Sequence, residues 1–154
     1  EVMGRSSGHI AIQVGIGGGA ETIIVPEKKE PLGKVIQTIE RGIRRGKTSS
    51  IIVVAEGKRP GLSTRISESL DRRGYSSKVC ILGHTQRGGS PTAHDRVLAS
   101  VLGASAVGYL LNGHSDSMVG IRKGGVVIVP FKEVIGVKKT LPLGPLSFAQ
   151  ILAS

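Results

Sequence analysis

Tryptophan is absent from this chain, and only two Phe and two Tyr are present. A core without large rings must be filled by Ile, Val, Leu and Ala, which suits parallel strands buried on both faces. The same scarcity removes the stacking platforms that hold single-stranded nucleic acid. A single cysteine, Cys80, cannot staple the fold internally. It lies in an apolar run and reads as a small core residue. No apolar run approaches the roughly 20 residues of a membrane span, and no secretory signal is present. The expectation is a cytoplasmic protein with no membrane contact. Acidic residues are also short, with 11 against 21 Lys and Arg, giving a formal charge of +10. That balance favours anionic ligands: phosphorylated metabolites, nucleotides or nucleic acid. The positive residues are scattered, so a steep salt-dependent affinity for oligonucleotides is not expected. The densest group is Arg41, Arg44, Arg45 and Lys47 at one helix end, where cations also meet the helix dipole favourably.

What is present is a chain of 154 residues, enough for an ordinary core, with 23 glycines punctuating it. It opens on Glu1 rather than Met, within two residues of a candidate functional motif, and reads as a piece of a longer protein. The segment His9 to Ile16 is ambiguous. Ile10, Ile12, Val14 and Ile16 alternate as in a strand, while Ile12 and Ile16 also permit a helix. Thr22 to Val25 reads as a short buried strand stopped by Pro26. Pro31 to Arg45 reads as a helix with Leu32, Val35, Ile36, Ile39 and Ile43 on one face. Ser50 to Ala55 is a second strand, Ser63 to Arg73 an amphipathic helix, and Val79 to Leu82 a third strand. A helix over 92–111 follows. Met118 to Ile121 and Val126 to Val129 read as strands joined around Lys123-Gly124-Gly125. A short helix is expected from Ser147 to Leu152. Strands alternating with helices and short links predict an α/β fold with a mainly parallel sheet flanked by helices.

Ligands of open α/β sheets bind at the carboxyl ends of strands. The stretch Gly83-His84-Thr85-Gln86-Arg87-Gly88-Gly89-Ser90-Pro91 stands at such a place. Glycines let the backbone approach an anion, and arginine presents a fork matched to phosphate oxygens. Residue chemistry alone therefore predicts a phosphate- or sugar-phosphate-binding loop. Glu56 directly follows the second strand, where a carboxylate can accept sugar hydroxyl hydrogen bonds or simply be solvated. Gly15-Ile16-Gly17-Gly18-Gly19-Ala20 spells a dinucleotide fingerprint. An apolar run and Pro26 follow it instead of a helix and a distal acid, so it reads as a tight turn. His9, His94 and His114 lack metal-ligand spacing.

The loop from Gly83 to Pro91, together with Met3-Gly4-Arg5, Glu56, Gly18-Gly19-Ala20-Glu21 and Asp95-Arg96-Val97-Leu98-Ala99-Ser100, resembles the carboxy-terminal half of the 6-phosphofructokinases. The resemblance spans essentially the whole chain. It implies the Rossmann-like half of a two-domain kinase, with a helix, not a strand, after Met3-Gly4-Arg5. It implies that Met3, Gly4 and Glu56 line fructose 6-phosphate and that His84 and Arg87 meet its 6-phosphate. Arg5 would stabilise charge around the transferred phosphoryl group. Lys78 stands where the family lends an arginine to a neighbouring subunit, which implies a homo-oligomer. A regulatory nucleotide effector is implied at Gly19, Glu21, Arg45 and Lys47, with its magnesium held by Glu21 and the Gly19 carbonyl. Thr48 departs from the family's bacterial pattern, which has a further lysine there. The nucleotide-binding loops and catalytic aspartate belong to the family's other half, so ATP and Mg2+ would bind mostly outside this chain, which alone is expected to be inactive. Residues 1–111 would form the sugar-phosphate-binding domain. Residues 112–154 would be a crossover and tail packing partly on the amino-terminal half. The rival readings are a pyrophosphate-dependent relative and a non-catalytic sugar-phosphate or effector-binding module.

Overall fold

The computed structural model describes residues 1–137 and 139–152. One compact unit comprises Glu1–Gly88 and the described tail from Leu141; a second comprises Gly89–Thr140.

In the first unit, β1 (Thr22–Ile24) and β2 (Ile52–Val54) pair in parallel, Ile23 opposite Val53. Strand residues alternate between faces, and both faces here are buried. Ile23 joins Ala11, Ile12, Leu146 and Ala149, from α1 (His9–Gly17) and α5 (Gly144–Leu152). Ile24 and Val54 join Val35, Ile36, Ile39 and Leu70, from α2 (Leu32–Arg44) and α3 (Leu62–Asp71). A sheet layer thus lies between two helical layers, as expected for an α/β fold.

The ambiguous segment His9 to Ile16 is helical. Its alternating isoleucines and valine are a poor guide, because Ile10 and Val14 are exposed. The buried stripe is instead Ala11, Ile12 and Gly15, at helical spacing. A Cβ on Gly15 would stand 2.6 Å from the Ile23 side chain, so the helix needs glycine there to lie against β1.

Val79 to Leu82 does not form the expected third strand. The Glu1 nitrogen donates to the Cys80 carbonyl at 2.6 Å, and the Leu82 N–H donates to the Glu1 carbonyl at 3.1 Å. Those two bonds fall on one residue, too short a partner for a ladder, and Val79, Ile81 and Leu82 are exposed. Cys80 is exposed as well, against its expected place in the core.

The second unit holds α4 (Ala93–Leu111) and a hairpin of β3 (Ser117–Arg122) and β4 (Gly125–Pro130). A capping box starts α4: the Asp95 N–H donates to Thr92 Oγ1 at 3.3 Å, and the Thr92 N–H donates to Asp95 Oδ2 at 2.8 Å. The bonds from Thr92 hold the Asp95 carboxyl below its ordinary range. The hairpin turns on Lys123 and Gly124, both at positive φ (51° and 81°), as a two-residue mirror-image turn requires. Residue 111, where the family resemblance divides the chain, lies inside this unit, in which α4 packs against β3 and β4. Beyond it, α5 returns to pack on α1 and β1.

Candidate functional site

The candidate sugar-phosphate residues gather where β2 ends. Residues 1–3 run beside it, and Val2 bridges Ala55 in parallel. The Val2 N–H donates to the Val54 carbonyl at 2.8 Å, and the Glu56 N–H donates to the Val2 carbonyl at 3.0 Å. The Gly57 N–H then donates to the Gly4 carbonyl at 3.1 Å. These bonds bring the Met3-Gly4-Arg5 turn alongside Glu56, which is half-buried. Gly4 sits at φ 152°, and a Cβ there would stand 2.6 Å from the Ser7 carbonyl oxygen, so the turn excludes any side chain. Beyond the turn, both carboxylate oxygens of Glu27 accept from the Gly8 N–H, at 3.0 and 3.1 Å. Gly8 caps α1, where free N–H groups favour an anionic partner.

The loop joins this turn from the other side. Residues Gly83–Arg87 form a single 3-10 turn, entered through Gly83 at φ 48°. His84 and Arg87 are exposed on it, and Arg5 is exposed on the neighbouring turn. Gln86 is half-buried, and its Oε1 accepts from the Met3 N–H at 2.7 Å. The structure therefore brings Met3, Gly4, Glu56 and the His84–Arg87 turn into one hydrogen-bonded group at the carboxyl end of the sheet. Lys78 is exposed on the segment leading to the loop and is not drawn into that group by these bonds. Sequence reasoning passed over Gln86 and Glu27. Neither belongs to a periodic pattern, and each acts through a single backbone N–H distant in sequence.

The candidate effector residues surround a second feature, a cavity of about 260 Å³. Glu21, Arg45 and Lys47 line it, together with Lys28, Glu30, Lys34, Arg41, Leu146 and Ala149. Five cations face two carboxylates there, so the cavity suits an anion. Glu21 is engaged twice: its Oε2 accepts from the Ile51 N–H at 2.6 Å, and its Oε1 pairs with Lys47 Nζ at 3.2 Å. Burial pushes its carboxyl upward, but the bonds from Ile51, its own N–H and Lys47 outweigh this and hold it below the ordinary range. Gly19 lies just before it in the exposed turn after α1, at φ 68°.

Among the described residues no group of three or more His, Cys, Asp or Glu could hold a metal. A carboxylate and a carbonyl from Glu21 and Gly19 would be too few for an all-protein magnesium site. They fit only an ion that arrives with phosphate oxygens and water, as Mg2+ commonly does. No helix among the described residues is long and apolar enough to cross a membrane.

A parallel sheet between helical layers, with its candidate loops at the carboxyl ends of the strands, makes this an α/β protein of the Rossmann-like class. The phosphofructokinase family model matches residues 1–110, and the chain belongs to that family. It is 48% identical over 157 residues to the ATP-dependent 6-phosphofructokinase 1 of Thermus thermophilus, covering 99% of this chain and 48% of that protein. It is also 48% identical over 134 residues to the ATP-dependent 6-phosphofructokinase of Natranaerobius thermophilus, covering 87% of this chain and 42% of that protein. Among solved structures, the Pichia pastoris phosphofructokinase in the T-state matches with a TM-score of 0.76 at 30% identity, over 86% of this chain and 17% of that one. The chain spans about half the length of the curated relatives it matches.

Proposed function

We propose that this chain is the sugar-phosphate-binding half of an ATP-dependent 6-phosphofructokinase, which moves the terminal phosphoryl group of ATP onto the 1-hydroxyl of fructose 6-phosphate. The observation that carries this reading is the hydrogen-bonded group of Met3, Gly4, Glu56 and the His84–Arg87 turn. Exposed His84 and Arg87 would grip the 6-phosphate, Arg87 by its planar fork. Glu56 would accept from hydroxyls of the sugar, and Met3 and Gly4 would line it. Arg5 would meet the negative charge that spreads over the transferred phosphoryl oxygens. Lys78, set apart on its exposed segment, would serve the phosphate of a neighbouring copy as a point charge, making the enzyme a homo-oligomer. The magnesium that travels with ATP neutralises phosphate charge. No donor site for it is assigned to this chain, which alone would transfer no phosphoryl group.

The cation-rich cavity would take a regulatory nucleotide, its phosphates between Arg45 and Lys47. A magnesium ion carried on those phosphates would meet Glu21 and the Gly19 carbonyl. The lowered Glu21 pKa supports a carboxylate that stays ionised there.

The test is a coupled assay on the enzyme completed with the amino-terminal half of the Thermus thermophilus relative. Fructose 6-phosphate is offered with ATP, and separately with pyrophosphate. Fructose 1,6-bisphosphate from ATP is the expected result. Product from pyrophosphate alone would reassign the donor. Product from neither, with fructose 6-phosphate still bound, would leave a sugar-phosphate receptor.

A further inference from the structure

The sheet opens between residues 1–3 and the segment 80–86, and the hydrogen bonds show how. Glu1 pairs with Cys80 and Leu82 as a parallel ladder does. The next bond of such a ladder would run from the Met3 N–H to the Leu82 carbonyl. That carbonyl is diverted, because Leu82 takes helical angles (φ −72°, ψ −36°) and accepts instead from the Thr85 N–H at 3.1 Å. The turn that presents His84 and Arg87 thus removes the acceptor that Met3 should have. The Val2 and Gly4 carbonyls accept from the other side, where Glu56 and Gly57 donate, so the Met3 N–H faces the gap alone. Gln86 fills it, its Oε1 lying 2.7 Å from the Met3 nitrogen across 83 residues of sequence.

We infer that Gln86 is a positioning residue: its side-chain oxygen replaces the lost ladder carbonyl and fixes the spacing between the Met3-Gly4-Arg5 turn and the His84–Arg87 turn. Its consequence for substrate rests on the reading of those two turns as the grip on fructose 6-phosphate. Glutamine suits the task because it is neutral. A glutamate would also accept from Met3, but it would set a negative charge beside His84 and Arg87. An asparagine is one methylene too short to span the gap.

The test uses the completed enzyme, labelled with 15N-methionine, with the Met3 signal assigned by Met3→Leu. Gln86→Met keeps the length and removes the acceptor; Gln86→Glu keeps the acceptor. Gln86→Asn is the second acceptor-withdrawing variant should Gln86→Met not fold. Gln86→Met or Gln86→Asn is expected to speed Met3 amide exchange about tenfold, as loss of one hydrogen bond implies. The same variant should raise the KM for fructose 6-phosphate about tenfold, with the KM for ATP little changed. Gln86→Glu should keep Met3 protected while still weakening sugar-phosphate binding by its charge. Met3 exchange unchanged in the folded acceptor-withdrawing variant overturns the inference, as does a tenfold rise in exchange with an unaltered sugar KM. A wild-type enzyme that protects Met3 through Gln86 but ignores fructose 6-phosphate upholds the link and overturns the functional reading instead.

Discussion

Glu56 and Val2 are held together by one backbone hydrogen bond, the Glu56 N–H donating to the Val2 carbonyl at 3.0 Å. Through it, the residue after β2 and the residue before the Met3-Gly4-Arg5 turn share a position at the carboxyl end of the sheet. The bond uses only main-chain atoms, so substitutions at Glu56 leave the turn in place. That separation of scaffold from side chain lets the site be probed one residue at a time.

Arg87→Ala in the completed enzyme should raise the KM for fructose 6-phosphate by about 10- to 100-fold, the value of one or two charge-assisted contacts. The KM for ATP should change by less than about twofold. Steady-state kinetics with each substrate varied in turn checks this, and an unchanged sugar KM would sink the assignment of Arg87.

Gly4→Ala should destabilise the fold by about 1–3 kcal/mol, because it adds a side chain at φ 152° against a carbonyl oxygen 2.6 Å away. Urea unfolding measures the loss. Sugar-phosphate affinity should fall even below the unfolding midpoint, since Gly4 belongs to the candidate binding turn.

Glu21 carries a pH dependence of stability. Its pKa is lower folded than unfolded, so its contribution is complete above the ordinary carboxylate range and disappears as pH falls through the lowered value. Glu21→Gln should therefore be less stable than wild type at pH 7, and the two should converge as pH falls below the lowered pKa. Thermal midpoints of both proteins across that range provide the check; a constant difference would show that the ionised form is not what stabilises.

Lys123→Gly should tighten the β3–β4 hairpin. Lys123 occupies the left-handed region at φ 51°, where glycine costs less than a residue with a Cβ. A gain of up to about 1 kcal/mol in unfolding free energy is expected, read by urea denaturation of the completed enzyme.

Much of the architecture was legible in particular residues. Val35, Ile36 and Ile39 announced the buried face of α2, and Thr22 to Val25 a strand covered on both sides. The loop from Gly83 could be singled out as a candidate because Gly, His and Arg state their chemistry locally. Where local pattern misled, the physical causes differ. Apolar Val79 to Leu82 resembles a strand, but a strand exists only where a partner of adequate length lies beside it, and here that partner contributes chiefly Glu1. Ile10 and Val14 imitated β alternation because the true buried face of α1 uses Ala11 and Gly15, whose small size is the signal of close packing. Gln86 was illegible for a different reason. Its role is defined by an N–H left without a ladder carbonyl, a fact of three-dimensional register that no local pattern records.

The Gln86–Met3 bond also fixes an order of events in folding. The hairpin closes around two residues, Lys123 and Gly124, whereas this bond must close a loop spanning 83. Loop entropy rises with length, and contacts between distant residues form late. The Met3-Gly4-Arg5 and His84–Arg87 turns are expected to come into line only after β1, β2 and the helices on their faces have condensed. A chain halted partway would hold much of its secondary structure yet present His84 and Arg87 at no fixed distance from Met3. The alignment of these two turns is therefore among the last features this chain acquires.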